Sequence, residues 1–592
     1  MYFLPVWCSV LSFLVSALFG RHLGSRGVFI YSISSIFFCF LSSCYIFYEV
    51  SICQSVCYIR CVDWMSIDLI EVNWGFLFDA LSSSMLVVIT GVSLCAHIYS
   101  IEYMRTDPHN VRFFSYLSLF TFFMIILVVS DNAIQLFMGW EGVGICSYLL
   151  INFWSTRVQA NKASILAVIT NKLGDIALLI SCTVMYSMFK TVDFAMVSAC
   201  AGYFPYIRSE APVFAYFSIL YTEETSADFI VLLSTIDRHM LFDQLTLVCF
   251  FLLVAAIGKS AQAGLHIWLP EAMEGPTPVS SLIHAATMVT AGIFLLLRCS
   301  YLFFDISTMF IYIIFFGSIT AFFSSTIGLL QTDIKKVVAY STCSQLGYMF
   351  ICCGFSAYGN GIYHLFNHAF FKALLFLTAG YVIHALSNEQ DIRKMGSLLT
   401  ILPFSYIMML IGSLSLIGFP FFSGFYSKDR IVELCFNNYL HFFSMFDSYK
   451  YIMFSQILCI FAVIFTLVYS MKLLFFVFFN SYCGFKYYLS SMHYSSFFIQ
   501  VPLLFLSVLS MISGYFTSDM MVGIGSSFWL KSFNIDTFFF FSGDSWKNVY
   551  KASFLLHTEY NHYIRQITVV WTIYFLFVSF VLVTHFKYFF YY

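Results

Sequence analysis

The chain has 592 residues, of which 60% are hydrophobic and only 10% charged, against about 25% charged in a soluble globular protein, so water is not its main solvent. Lys plus Arg at 28 against Asp plus Glu at 30 leave a net charge of −2, which offers no basic field and excludes nucleic acid as a partner. The eighteen cysteines sit mostly one by one in apolar runs, and even Cys53, Cys57 and Cys61 recur every fourth residue, without the CxxC spacing of zinc or iron–sulfur ligands.

Apolar runs of about 18 residues or more recur along the chain, each long enough to cross about 30 Å of hydrocarbon as a helix. They predict an all-α, polytopic transmembrane bundle of about 15 helices. The runs are continuous rather than alternating, which excludes a transmembrane β-barrel. In chain order the apolar cores include residues 28–50, 81–99, 113–129, 245–257, 282–297, 309–330, 401–420, 451–479, 499–515 and 567–584. Between the first two, residues 51–74 read as an interfacial loop, with Trp64 and Trp74 in an aromatic belt. Residues 204–243 hold Arg208, Glu210, Glu223, Glu224, Asp228, Asp237 and Arg238 around short apolar pieces, a surface insertion able to meet a partner. Residues 517–562 mix Gly, Ser, Asp and Lys and read as an exposed, partly helical connection.

Two apolar stretches are interrupted in similar ways: AIGKSAQAGLHIWLP at 256–270 and IGFPFFSGFYSKD at 417–429, each carrying a lysine. Paired broken helices point to two inverted repeats with a transport path through them. The repeats run over 111–298 and 301–480, leaving 1–110 as N-terminal helices with the interfacial loop and 481–592 as C-terminal helices.

Charges at membrane depth cost a few kcal/mol or more each, so every one demands an explanation. Glu141 stands in FMGWEGVGICSYLL, where Gly142 and Gly144 allow close helix approach. Lys259, at a glycine-weakened point, is its natural partner. Lys172 and Asp175 fall three apart on one face and pair locally, in a structural or modulating role or in direct transfer. His284 is a lone histidine on an apolar helix, the pattern of an ordinary core histidine, yet it follows a broken helix. His364, His368 and Lys372 form one stripe at spacing four. Such a histidine pair suits a metal, but no HExxH glutamate, third ligand or cysteine cluster accompanies it and Lys372 repels a cation, so no metal is assigned and proton relay fits better. Lys428 and Asp429 follow a Gly-Pro break, with a surface pair capping a helix as the plainer alternative. Asp333, Lys335 and Lys336 read as an interfacial group.

Buried lysine suits a pump because its proton affinity falls away from a carboxylate and recovers beside one. The candidate proton-transfer set is Glu141, Lys259, His284, Lys372, Lys428 and Asp429, supported by Lys172, Asp175, His364 and His368. Moving one charge against 100 mV costs about 2.3 kcal/mol. No Walker loop or GxGxxG supplies that energy here, so the driving redox centre lies in other chains. The start MYFLPVWC lacks an Arg-rich transit peptide, and 74 Phe residues, whose codons are T-rich, point to an organelle-encoded product.

FMGWEGVGICSYLLINFW, GKSAQAGLHIWLPEAMEGPTPVSSLIHAATMVTAGIF, YSTCSQLGYM, HLFNHAFFKALLFLTAG and LIGSLSLIGFPFFSGFYSKD resemble the chain 5 family of NADH-quinone oxidoreductase, the distal antiporter-like subunits of respiratory complex I, over nearly the whole chain. The resemblance implies a proton-translocating core subunit in which Glu141 and Lys259 match the family's glutamate–lysine pair, Lys372 its central lysine, and Lys428 with Asp429 its terminal site. Lys172, Asp175, His284, His364 and His368 match supporting positions. It implies no cofactor in this chain, with NAD, FMN, iron–sulfur clusters and ubiquinone in partner subunits, and bound phospholipids. It implies other membrane-arm subunits as partners, especially antiporter-like chain 4, with accessory subunits and lipids. The implied location is the mitochondrial inner membrane, with a bacterial plasma membrane as the alternative. The family typically ends with a long lateral amphipathic helix and an anchor helix. No clear lateral helix is visible here, and the insertion at 204–243 is longer than the common pattern. A cation/proton antiporter subunit is the alternative function, and a scaffold keeping its charges as buried ion pairs is a third.

Overall fold

The computed structural model describes residues 1–67, 70–201, 244–303, 306–442, 449–485, 487, 496–523, 526–529, 532 and 578. Two helices open the chain, α1 (Leu4–Leu18) and α2 (Gly20–Ile46). Strands β1 (Cys57–Ile67) and β2 (Ile70–Phe78) follow, then α3 (Ala80–Tyr103), α4 (Asn110–Val129), α5 (Ala133–Ile151) and α6 (Val158–Phe189). Beyond these come α7 (Gln244–Lys259), α8 (Thr277–Ala285), α9 (Met288–Arg298), α10 (Ser307–Leu330), α11 (Ile334–Gly354) and α12 (Tyr358–Ala385). The last are α13 (Pro403–Ile417), α14 (Ser423–Phe442), α15 (Tyr449–Leu474) and α16 (Phe497–Val522). Among the described residues ten helices are long and apolar enough to cross a membrane, with three shorter apolar helices beside them, so the expected polytopic α-helical bundle is the fold. The insertion at 204–243, most of the connection at 517–562 and the run at 567–584 lie outside the described residues.

The interfacial loop expected at 51–74 is instead largely a β-hairpin. Its antiparallel register sets Cys57 opposite Phe78 and Ile67 opposite Ile70. The physical reason stands in the sequence: Ile70, Val72, Trp74, Phe76 and Phe78 alternate with Glu71, Asn73 and Gly75, the period of a half-buried strand. The hairpin rests on the turn between α4 and α5. There the Tyr58 hydroxyl donates to Asp131 (3.0 Å), the Asn132 amide donates to the Asn73 carbonyl (2.7 Å), and the Gly75 N–H donates to Gln135 (3.2 Å). This junction lies outside the membrane spans. Burial pushes the Asp131 carboxyl up to about 6, with the Tyr58 hydrogen bond opposing the shift.

Burial differs sharply among the helices. The most apolar stretch of α12 is 100% buried, since α12 packs against α3, α8, α11, α13, α14 and α16, whereas that of α6 is only 39% buried. A helix with protein on every side can satisfy polar side chains that lipid would not.

Both expected helix breaks are present. Past Lys259 the backbone turns through Ala261 (φ 51°) and Gly264 (φ 103°) before a short helix, Trp268–Glu271. α13 stops at Gly418 (φ 90°), a left-handed conformation that glycine adopts without strain, and α14 restarts at Ser423. A further interruption separates α8 from α9, where Thr287 leaves helical geometry and its hydroxyl donates to the Leu282 carbonyl (2.7 Å).

Candidate functional site

The charged residues gather in three groups along the bundle. The first lies where α5, α6 and α7 meet. Gly174 of α6 faces Gly258 of α7 so closely that a Cβ on Gly258 would sit 3.2 Å from the Gly174 Cα. That backbone contact brings the next residue of each helix together, and Lys259 Nζ lies 3.5 Å from Asp175 Oδ1, with side chains only 1% and 5% exposed. Gly144 of α5 leaves room for the same ammonium, 3.1 Å from where its Cβ would be. Glu141 pairs elsewhere: Lys172 donates to its two carboxylate oxygens at 2.8 and 2.6 Å. The expected Glu141–Lys259 pair is therefore corrected to Glu141–Lys172 and Asp175–Lys259, because Glu141 points toward the α6 face that carries Lys172. The local Lys172–Asp175 pairing exists but is long, at 3.9 Å.

The second group surrounds the middle of α12. Lys372 is wholly buried and donates to the Ser341 hydroxyl (2.5 Å) of α11. His284 of α8, also wholly buried, lies between Trp268 and Phe376 with ring centroids 6.5 and 5.4 Å away and planes nearly parallel. Neither its ring nitrogens nor those of His368 have a side-chain partner among the described residues, and the Ala285 carbonyl is the backbone group facing His368.

The third group links α12 to the break before α14. His364 Nε2 donates to Gln345 Oε1 (3.1 Å), and its Nδ1 lies 2.9 Å from the Ser427 hydroxyl. Lys428 donates to Thr466 Oγ1 (3.0 Å) and to the Ile417 carbonyl (3.3 Å) left open by the helix break. Lys428 is 2% exposed, which corrects the plainer reading of a surface pair with Asp429; Asp429 is partly buried beside it. The stripe His364, His368 and Lys372 thus joins the second and third groups, the two histidine rings 6.2 Å apart.

Lys335 also departs from expectation. Rather than joining an interfacial group, it is 4% exposed and reaches the Met273 and Gly275 carbonyls, while Lys336 stays near Glu271 and Asp333. Three features escaped the reading of the sequence. Lys472 is buried against the Leu329 and Gln331 carbonyls (2.6 and 2.9 Å) at the end of α10. His97 is wholly buried on α3. Asp79 and Arg298 form a buried ion pair at 2.7 Å. Nothing local signals the last, since 219 positions separate its members. Among the described residues no three His, Cys, Asp or Glu side chains converge as a metal would require.

A membrane-spanning helix bundle with broken helices and ionisable residues held between them is the architecture of a membrane transport protein of the antiporter-like fold. The comparisons agree: residues 130–454 match the family described as NADH:quinone oxidoreductase/Mrp antiporter transmembrane domain, and residues 64–114 match the N-terminus of NADH-ubiquinone oxidoreductase (complex I) chain 5. The chain belongs to the NADH-ubiquinone oxidoreductase chain 5 family. It is 49% identical to the chain 5 protein of Marchantia polymorpha over 90% of this chain and 75% of that one. It is 46% identical to that of Acanthamoeba castellanii over 98% and 79%. The fold alone is shared with a chain of the Mrp complex from Dietzia sp. DQ12-45-1b (TM-score 0.69, 23% identity, 87% of this chain and 51% of that one). It is shared likewise with a chain of an archaeal membrane-bound sulfane sulfur reductase (TM-score 0.68, 19% identity, 87% and 94%).

Proposed function

We propose that this chain moves protons across the mitochondrial inner membrane along the three groups described, as a membrane-arm subunit of NADH-ubiquinone oxidoreductase. The chain is a multi-pass, proton-translocating membrane subunit of the complex I type. The finer reading assigns proton transfer to Glu141, Lys259, His284, Lys372, Lys428 and Asp429, with Lys172, Asp175, His364 and His368 in support. Residues 111–298 and 301–480 act as two half-channels. Electrons pass from NADH to ubiquinone through flavin and iron–sulfur centres in partner subunits. An antiporter-like chain 4, accessory subunits and phospholipids are its neighbours.

The observation that carries this reading is the burial of Lys372 at the centre of the bundle with a hydroxyl partner, on the same helix stripe as two buried histidines. Lys372→Met roughly conserves volume, and because the Lys372 ammonium donates to a neutral hydroxyl, the substitution strands no counter-charge there. The variant complex assembles and oxidises NADH but moves fewer protons per electron, read by a pH-sensitive dye in sealed vesicles. An unchanged proton-to-electron ratio sinks the reading. The shared fold with the Mrp complex keeps a second reading in view, a cation/proton antiporter subunit. A native gel stained for NADH oxidation separates the two: this chain in the stained band supports the respiratory subunit, and its presence only elsewhere supports the antiporter.

A further inference from the structure

Trp140 touches more of the first group than any role so far given to it explains. It is wholly buried on α5, directly before Glu141. Its indole N–H donates to Asp175 Oδ1 at 2.7 Å, the same oxygen that faces Lys259 Nζ at 3.5 Å. Its backbone carbonyl accepts from Lys259 Nζ at 3.2 Å, and that ammonium lies 5.4 Å from the indole centroid. The inner ion pair is thus long, while the outer Lys172–Glu141 pair closes to 2.6 Å. The difference has a chemical source. An indole N–H and an ammonium compete for one carboxylate oxygen, and the ammonium is held in part by a ring face and a carbonyl.

We propose that Trp140 is a positioning residue of the proton pathway: its indole N–H holds Asp175 and its ring and carbonyl hold Lys259, keeping this pair apart enough to open and close. This inference rests on the proton-pathway reading above and adds a residue to it. With the N–H removed, Asp175 Oδ1 is free to close on Lys259, and the tighter pair resists separation during turnover. The backbone carbonyl survives any substitution, so the indole's contribution can be tested by itself.

The test uses the assembled complex in sealed vesicles, with proton movement read per assembled complex and across pH. Trp140→Phe keeps a ring and loses the donor. It is expected to oxidise NADH with an artificial acceptor as the wild type does, to pump about tenfold more slowly, as loss of one hydrogen bond to a charged group implies, and to show a displaced pH profile. A merely structural role would lower the amount of complex and leave that profile in place. Trp140→His, which retains a ring and an N–H, is expected to recover part of the rate. In an Asp175→Asn background, Trp140→Phe should add no further change, because the carboxylate it positions is gone. Wild-type pumping with an unmoved profile in Trp140→Phe, no recovery in Trp140→His, or full additivity with Asp175→Asn overturns the proposal. Lys259→Met distinguishes the two levels. If it pumps normally the pathway reading itself fails; if it stops pumping while Trp140→Phe is normal, only the role of Trp140 fails.

Discussion

Replacing Asp79 by alanine removes one half of a buried ion pair and the cap of a helix at the same time. Asp79 Oδ2 accepts from Arg298 Nη1 at 2.7 Å and Oδ1 from Nη2 at 3.3 Å, with both side chains 5% exposed. Asp79 Oδ1 also accepts from the Ser82 N–H (2.8 Å) at the start of α3. Loss of the cap costs about 1 kcal/mol. Stranding a buried guanidinium costs about 3–5 kcal/mol, so Asp79→Ala loses about 4–6 kcal/mol in all. That is much of the net stability of about 5–15 kcal/mol typical of a folded domain. Asp79→Asn keeps the cap and loses only the charge, so it should fall between the alanine variant and the wild type. The double variant Asp79→Ser with Arg298→Met restores a cap and removes the stranded charge, and should recover most of the loss. The assay is the amount of assembled complex on a native gel, followed by its survival on heating in mild detergent. Wild-type assembly of Asp79→Ala, or a double variant no better than Asp79→Ser alone, would refute the reasoning.

Further outcomes follow from other contacts. Gly258→Val drives a side chain into Gly174 and should cost about 1–3 kcal/mol through overpacking while separating Asp175 from Lys259; proton pumping that equals the wild type would contradict the role given to this contact. Ser341→Ala removes the hydroxyl that receives the Lys372 proton donor and should lower the proton-to-electron ratio while leaving the amount of complex on a native gel nearly unchanged. Asp131 gives a pH test with a definite sign. Its carboxyl is raised from 3.8 to about 6 in the fold, so the folded state holds the extra proton and stability falls as pH rises through that window and is level above it. Asp131→Asn should therefore melt higher than the wild type at pH 7 and equally at pH 4; an equal difference at both would exclude the carboxyl as its source.

Much of the architecture and most of the polar residues were legible because charge is costly in lipid. Ten percent charge in a chain this apolar makes Glu141, Lys259 and Lys372 stand out, and spacing four on one helix puts His364, His368 and Lys372 on one face. Pairing was harder. Whether Glu141 meets Lys172 or Lys259 depends on how α5 and α6 are rotated and on the Gly174–Gly258 contact, which belongs to two helices far apart in the chain. Lys335 reads as interfacial beside Asp333 and Lys336, yet its neighbours are the Met273 and Gly275 carbonyls of the broken stretch before α8, 62 and 60 positions away in the chain, which no local pattern signals. The hairpin was readable in principle, since β2 alternates from Ile70 to Phe76, but short alternating stretches were outweighed by the long apolar runs on either side.

On the proposed pathway, charge is compensated unevenly, and that unevenness bears on how a pump avoids leaking. The first group carries two carboxylates and two lysines in one close and one longer pair, and the third sets Lys428 against a hydroxyl and a carbonyl, with Asp429 beside it. Between them, His284 is covered by the faces of Trp268 and Phe376, and its ring nitrogens find no protein partner among the described residues. A continuous hydrogen-bonded wire would let protons run back down their gradient, each releasing about 2.3 kcal/mol per 100 mV. On that proposed pathway, a histidine enclosed by two aromatic faces and obliged to rearrange before it relays would work instead as a gate. Phe376→Leu should therefore raise the passive proton conductance of vesicles containing the complex without NADH, and Phe376→Ala should raise it further while costing about 3–5 kcal/mol of stability through the cavity it leaves. Conductance that stays at the wild-type level in both variants, with the complex assembled, would show that the barrier to back-flow lies elsewhere than at this constriction.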